Sequence, residues 1–223
     1  MKILAIETSG SGGSVALSFD GDVRERSVKA TREQTSALLP MIDGLLAEAG
    51  QSLSALDALA FGQGPGSFTG LRVAAAVVQG LGLASGVPIV PVSSMAGLMQ
   101  QAWRRFGATT AALCIDARMG EVYWGHFAIE AGLAAPVLTE AIGPPAAVTA
   151  PPGAYACIGD GFARYPEALA GIMAGAGHVF DDCQPLARDL LPLAAARRSA
   201  GIAVAAVDAL PTYLRDSTAW KRL

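Results

Sequence analysis

One order of segments occurs twice along this 223-residue chain, and that repetition restricts its fold more than any other feature. Residues 2–7 form an apolar run that ends at Glu7, which reads as a buried strand. A turn of Ser, Thr and Gly at 8–13 leads to a second strand at 14–19, Asp20-Gly21 is a hairpin signal, and 23–29 is a polar alternating strand. Thr31 and Gln34 stand at capping-box spacing before a helix whose apolar residues Leu38, Leu39, Ile42, Leu45, Leu46 and Ala49 recur every three or four positions until Gly50 stops it. Pro40 predicts a kink in that helix or a late start. A buried strand at 58–62, a glycine-rich loop, a helix at 67–84, a strand at 88–92 and a helix at 94–106 complete the series. After Gly107 the order returns: strands at 111–116, 121–129 and 137–142, a Pro-rich connection at 144–153, a strand at 155–159, a helix at 165–174, a short strand near Val179 and a helix at 185–200. Three strands followed by alternating helices and strands, twice, predict a duplicated α/β unit of βββαβα repeats with an interlobe cleft, rather than one doubly wound sheet.

Composition narrows the function. Apolar residues at 52% and charged residues at 16% exclude a disordered chain. A net charge of -3 supplies no global positive field, so contact with nucleic acid requires a local patch or a partner. Arg24, Arg26, Lys29 and Arg32 form a basic stretch, but at alternating strand spacing Arg24 and Arg26 read first as a solvated sheet edge. Lys221 and Arg222 read as a frayed tail. The apolar start at 3–6 is too short for a secretory segment, and the stretch 73–87, interrupted by Gln79, falls short of the roughly 18 residues of a bilayer span, so a cytoplasmic protein is expected. Cys114, Cys157 and Cys183 are odd in number and lack paired spacing, and His126 and His178 stand far apart, so neither disulfides nor a metal site are expected.

The glycine-rich loop GQGPGSFTGLR, from Gly62 to Arg72, lies between a strand and a helix. It is neither a Walker A loop, because no Lys follows Gly70, nor GxGxxG, because Thr69 occupies the last glycine position. Two readings remain. Its amides and the helix N-terminus hold an anion, or it is a structural turn with positive φ at Gly64 or Gly66, close packing at Gly70 and a cap from Ser67 or Thr69. The turns ETSGSGG, DARMGE and GDG place Glu7 and Asp116 at the ends of buried strands. Glu7, Thr8, Ser9, Asp116, Arg118, Gly159 and Gly161 are therefore candidates for holding a nucleotide, against the plainer reading that polar turns simply end strands. Together the three turns resemble the two phosphate loops and the adenosine loop of the actin, Hsp70 and sugar kinase fold.

The string Gly64, Pro65, Gly66, Ser67, Phe68, Thr69, Gly70, Leu71, Arg72, the opening ILAIETS, TSALLP at 35–40, DAR at 116–118 with Val122 and Tyr123, and PTYLR at 211–215 together resemble the TsaB (YeaZ) family, in order and over nearly the whole chain. The resemblance implies a two-lobed actin-like fold, read here as lobes 1–106 (completed by 188–223) and 107–187. It further implies a role in making N6-threonylcarbamoyladenosine at position 37 of tRNAs that read codons beginning with A. In that system a TsaD paralogue of the same fold holds a metal and transfers the threonylcarbamoyl group, TsaB is its non-catalytic partner, and TsaE is an ATPase that supports turnover. tRNA would be met only through the complex. No cofactor is required on this expectation; weak ATP or ADP binding and a homodimer of the chain alone stay open.

Departures bear on the same question. Relatives often show His, Ser and Glu just before LLP, where this chain has Gln34, Thr35 and Ser36, so no imidazole serves there. Glu7 stands where many kinase relatives carry Asp, and Arg118 adds a bulky cation. An ATP-dependent enzyme using the interlobe cleft is the alternative; a peptidase lacks a nucleophile, base and orienter set. The expected docking face for the paralogue comprises Leu38, Leu39, Ile42 and Leu45 on the first long helix and Val73, Ala76, Val77 and Gly80 on the second, whose small residues allow close helix approach. The competing reading makes the second helix a fully covered layer of its lobe.

Overall fold

The computed structural model describes residues 1–29 and 31–215; the side chains of 31–34 lie outside the described set, as do Lys221 and Arg222 and the capping role of Thr31 and Gln34. Strands β1 (Ile3–Glu7), β2 (Gly13–Phe19) and β3 (Asp22–Val28) form an antiparallel meander. Its hairpin turns at Asp20 and Gly21, both at positive φ, as a two-residue turn matched to strand twist requires. Helix α1 (Thr31–Glu48) leads to β4 (Ala58–Gly64), helix α2 (Phe68–Ser85), β5 (Ile89–Ser93) and helix α3 (Ser94–Phe106). The first sheet has the order β3-β2-β1-β4-β5, with β4 and β5 parallel to β1.

The second half follows the same plan. Strands β6 (Thr110–Arg118), β7 (Glu121–Glu130) and β8 (Leu133–Gly143) are antiparallel, and β9 (Ala156–Ile158) and β10 (His178–Phe180) continue the sheet in parallel. The order β8-β7-β6-β9-β10 repeats the first sheet position for position, which is the duplicated actin-like architecture. Helices α4 (Gly161–Arg164) and α5 (Ala170–Ala174) precede β10, and α6 (Ala187–Ser199) follows it.

Period-two alternation decides which helices lie on which face of the first sheet. Leu4, Ile6, Val15, Leu17, Leu59 and Phe61 point to one side and pack with Leu38, Ile42 and Leu45 of α1 and Ala74 and Val78 of α2. The intervening Ile3, Ala5, Ala16, Ala58 and Ala60 point to the other side, where mostly small side chains admit α3 and α6 closely. Leu98, Met99, Leu190 and Leu193 of those helices also meet Leu113, Phe127 and Ile158 of the second sheet. Outside the second sheet, Phe162 and Leu169 cover Cys157 and Val122. The chain is thus five layers, with α3 and α6 shared between the sheets.

Two features differ from expectation. The helix expected at 165–174 is divided, because Pro166 excludes the helical conformation at Tyr165, which adopts φ -128 and ψ 54. By contrast, Pro40 lies inside α1, as the first of its two readings had it, and the helix stops at Gly50 as expected, in a Schellman arrangement with Gly50 at φ 60 and the Gln51 amide donating to the Leu46 carbonyl at 2.9 Å. Helix α2 has the 18-residue length and apolar composition of a span, which the stretch 73–87 did not suggest; it packs along β4. Arg24 and Arg26 are engaged at the sheet edge: Arg24 pairs with Asp22 and lies over Phe19, and Arg26 reaches across Gly44 to Glu48.

The shared layer is held by polar contacts as well as burial. Arg104 of α3 donates two hydrogen bonds, 2.6 and 2.9 Å long, to the buried carboxylate of Asp189 on α6, and that contact holds the guanidinium above its ordinary range. At the start of α3, Ser93 Oγ caps the helix by accepting from the Ala96 amide and donates to Glu140 of β8, while Ser94 Oγ donates to Glu7 of β1 at 2.9 Å. Arg104→Ala leaves a buried carboxylate unpaired and is expected to cost about 3 kcal/mol at pH 7. Denaturant titration checks this loss, and adding Asp189→Asn, which removes the buried charge, should recover part of it.

Candidate functional site

The glycine-rich loop is a clasp around the first turn. The Ser67 amide donates to the Ser9 carbonyl at 2.8 Å, and Thr8 Oγ1 donates to the Gly70 carbonyl at 2.7 Å. Ser67, not the exposed Thr69, caps α2 by accepting from the Gly70 amide at 3.3 Å. Gly70 is demanded by proximity, since a Cβ there would stand 1.9 Å from the Thr8 carbonyl oxygen, and Gly64 lies at φ 109 against the Thr212 carbonyl. Pro65 follows through a cis bond. The amides of Ser67 and Gly70 are therefore spent on the chain itself, which favours the structural-turn reading of this loop over an anion cradle.

The predicted nucleotide residues separate into two depths. Glu7 is 1% exposed; one carboxylate oxygen accepts from the Ser9 amide at 2.6 Å and the other from Ser94 Oγ. Burial pushes its carboxyl above the ordinary range, against the lowering effect of the Ser9 and Ser94 hydrogen bonds. Glu7 and Thr8 thus lie beneath the floor of the cleft, because a strand end in the middle of a sheet is covered by its neighbours, here Gly62 and Ser94. Ser9, Asp116 and Arg118 do come together, around a gap of about 200 Å³ that Gly10, Gly66, Asp160 and Gln184 also line. Asp116 accepts from the Arg118 amide at 2.9 Å, from Arg118 Nη1 at 3.1 Å and from the Tyr165 hydroxyl at 3.2 Å. Gly159 and Gly161 sit behind it, pressed against Cys114.

Two residues of this gap were missed by sequence reasoning. Asp160 accepts from the Asp116 amide at 3.0 Å; its carboxylate in the GDG turn was the available signal. Gln184 accepts from the Ser11 amide at 3.2 Å and crowds Gly10, and nothing in the local pattern marks it. The gap is smaller than the roughly 300–1,000 Å³ usual for ligand sites. Among the described residues no group of three or more His, Cys, Asp or Glu side chains is placed to hold a metal. Burial pushes the thiols of Cys114, Cys157 and Cys183 up to about 12, 11 and 11, which keeps them protonated and poorly nucleophilic.

The expected docking face is partly corrected. Leu38, Ile42 and Leu45 are buried against β2 and its neighbours, because the apolar stripe of a surface helix serves its own sheet first. Leu39 remains outside at 51% exposure. On α2, Val73 and Val77 are half-buried while Ala76 and Gly80 are exposed, so the helix is not covered all round. Leu83, at 69% exposure, extends this side, and Val207 and Leu210 are exposed on the C-terminal segment that Gln79 ties to α2 through the Ala209 carbonyl.

Three of the motif strings, distant in sequence, meet in one cavity of about 620 Å³. Phe68 and Arg72 come from the loop and α2, Ala117 to Met119 and Tyr123 from the β6–β7 hairpin, and Thr212, Tyr213 and Arg215 from the C-terminal segment. Arg215 ties the strings together, donating to the Ala117 carbonyl at 2.9 Å and pairing with Glu121 at 2.7 Å.

Known proteins resemble this chain in sequence and fold. Residues 28–173 match the family model described as TsaD, tRNA N6-adenosine threonylcarbamoyltransferase. The chain is 40% identical over 230 residues to the tRNA threonylcarbamoyladenosine biosynthesis protein TsaB of Escherichia coli (strain K12), covering 100% of this chain and 98% of that protein. The Haemophilus influenzae protein of the same name is 34% identical over 233 residues, covering 100% and 97%. The solved structure of YeaZ from Pseudomonas aeruginosa matches with a TM-score of 0.89 at 40% identity, over 96% of this chain and 99% of that one. With full-length likeness in both sequence and fold, the chain belongs to the TsaB (YeaZ) family of tRNA threonylcarbamoyladenosine biosynthesis proteins.

Proposed function

We propose that this chain is the non-catalytic subunit of the complex that forms N6-threonylcarbamoyladenosine at position 37 of tRNAs reading codons beginning with A, and that it binds and supports a catalytic TsaD-type paralogue. The observation that carries this reading is the exposed apolar side of α2, with Ala76, Gly80 and Leu83 beside half-buried Val73 and Val77, in a layer that would otherwise be closed. Small residues there let a partner helix come close, and Leu39 of α1 adds a flanking anchor. The same face serves a homodimer when the paralogue is absent.

Support for a non-catalytic role comes from the cleft. Glu7 is sealed beneath its floor, Asp116 is engaged by Arg118 and Tyr165, and the gap between them is narrow. The chain then requires no cofactor, and the ATPase of the TsaE type acts on the assembled complex. tRNA is reached through that complex, in keeping with a net charge of -3 and with Arg24 and Arg26 already engaged. We read residues 1–106 with 188–223, and 107–187, as the two lobes, supported by the return of α6 to the first sheet, and the cytoplasm as the place of action.

Leu39→Asp and Ala76→Arg are expected to abolish co-elution with the TsaD paralogue in size-exclusion chromatography while leaving Tm within a few degrees of the parent; retained co-elution by both variants overturns the mapping. Glu7→Gln addresses catalysis. Because burial raises the Glu7 carboxyl above its ordinary 4.5, its contribution to stability is complete below that pH and is lost as pH rises through the raised value. The Gln variant should therefore show a shallower fall of Tm above about pH 4.5 and should still support tRNA modification when mixed with paralogue, ATPase and tRNA. A loss of modification by more than about 100-fold, the scale of a removed acid-base group, would place chemistry in this chain.

A further inference from the structure

We propose that the cavity where the three motif strings meet binds a nucleotide unit, with its base on the aromatic wall and its phosphate at the guanidinium rim. At about 620 Å³ the cavity is some three times the size of the gap beside Asp116, at about 200 Å³, and falls in the usual range for small-ligand sites. Tyr213, a lining residue that is 47% exposed, has Phe68 5.5 Å away between ring centroids. The Arg72 guanidinium lies 3.8 Å from the Phe68 ring centroid, and its Nε donates to the Tyr213 hydroxyl at 3.1 Å. Stacking and that hydrogen bond fix the cation at the rim, and among the described residues Arg72 makes no ion pair with a carboxylate. Arg118, with 83% of its side chain exposed, stands on the facing wall.

Arg215 is a wall residue, because its guanidinium is engaged by Glu121 and the Ala117 carbonyl. Arg72 is placed differently: a held cation with no counter-ion among the described residues, beside ring faces, in a concave space. An aliphatic ligand would leave that cation unanswered, and a bare phosphate would leave the rings unused. A base joined to a phosphate answers both, which is the chemistry of single-nucleotide recognition in general. The nucleotide comes either free or as part of a single-stranded RNA. The site is separate from the docking face, since Leu39, Ala76 and Gly80 line no part of the cavity.

The test titrates the full chain by calorimetry with AMP, adenosine, inorganic phosphate, a five-nucleotide single-stranded RNA and a glutamate pentapeptide. Saturable binding of AMP or of the RNA is expected, with adenosine and phosphate each weaker by about tenfold or more. Tighter binding of the RNA than of AMP assigns the polymer as the source, and the reverse assigns the free nucleotide. Arg72→Ala and Tyr213→Ala should each weaken binding by about tenfold, Arg72→Lys should recover part of it, and Asp160→Asn in the neighbouring gap should leave it unchanged; the Tm of each variant verifies folding. Absence of binding by both AMP and RNA at millimolar concentration overturns the proposal. So does equal binding of the glutamate peptide, or binding that survives Arg72→Ala and disappears in Asp160→Asn. Co-elution with the paralogue is read on the same variants, so failure of this site and failure of the docking reading are told apart.

Discussion

The relation between the two halves depends on a helical layer that they share. Helix α3 belongs by sequence to the first series yet leans mainly on β7 and β8, while α6 follows the second series and leans mainly on β1, β2, β4 and β5. This exchange is permitted by the small inner face of the first sheet at Ala5, Ala16, Ala58 and Ala60, which lets helices settle close to the backbone. Each large side chain buried in that layer contributes roughly 1.5–3 kcal/mol, and the core it forms takes in residues of both sheets. The Arg104–Asp189 pair adds directionality where burial alone would allow the helices to slide.

The clasp between the glycine-rich loop and the first turn directs polar groups of both segments onto one another. The Ser67 amide, the Thr8 hydroxyl and the Gly70 amide donate within the chain to the Ser9 carbonyl, the Gly70 carbonyl and Ser67 Oγ, and the Glu7 carboxylate accepts from Ser9 and Ser94. What the loop does achieve is to place Phe68 and Arg72 at the start of α2, facing the β6–β7 hairpin. Function is set by the site built on a fold rather than by the fold itself. Here the groups that face outward are those of the exposed α2 side and of the cavity rim.

Much of this was legible in the sequence. The repeated segment order gave the duplicated sheets, the 94–106 helix falls at Ser94–Phe106, and the α2 cap is Ser67, one of the two residues the loop offered for it. These are local signals, set by periodicity and by hydrogen bonding within a few residues. What escaped are properties of depth and of long-range meeting. The stripe of Leu38, Ile42 and Leu45 shows that α1 has an apolar face but not that its own sheet takes that face. The burial of Glu7 follows from Gly62 and Ser94 arriving from two other strands' ends. Val207, Leu210 and Gln184 lie in irregular segments where no period exists to be read, and the split at Tyr165 turned on one proline inside an otherwise helical pattern.

The two serines that open α3 have a mechanical meaning. Successive residues tie one helix terminus to a carboxylate of each sheet, Ser93 to the half-buried Glu140 and Ser94 to the buried Glu7. Because the two bonds leave one helix terminus from neighbouring residues, a change at either serine is felt by both sheets at once, and the start of α3 serves as a common reference point for the two strand ends that carry Glu7 and Glu140.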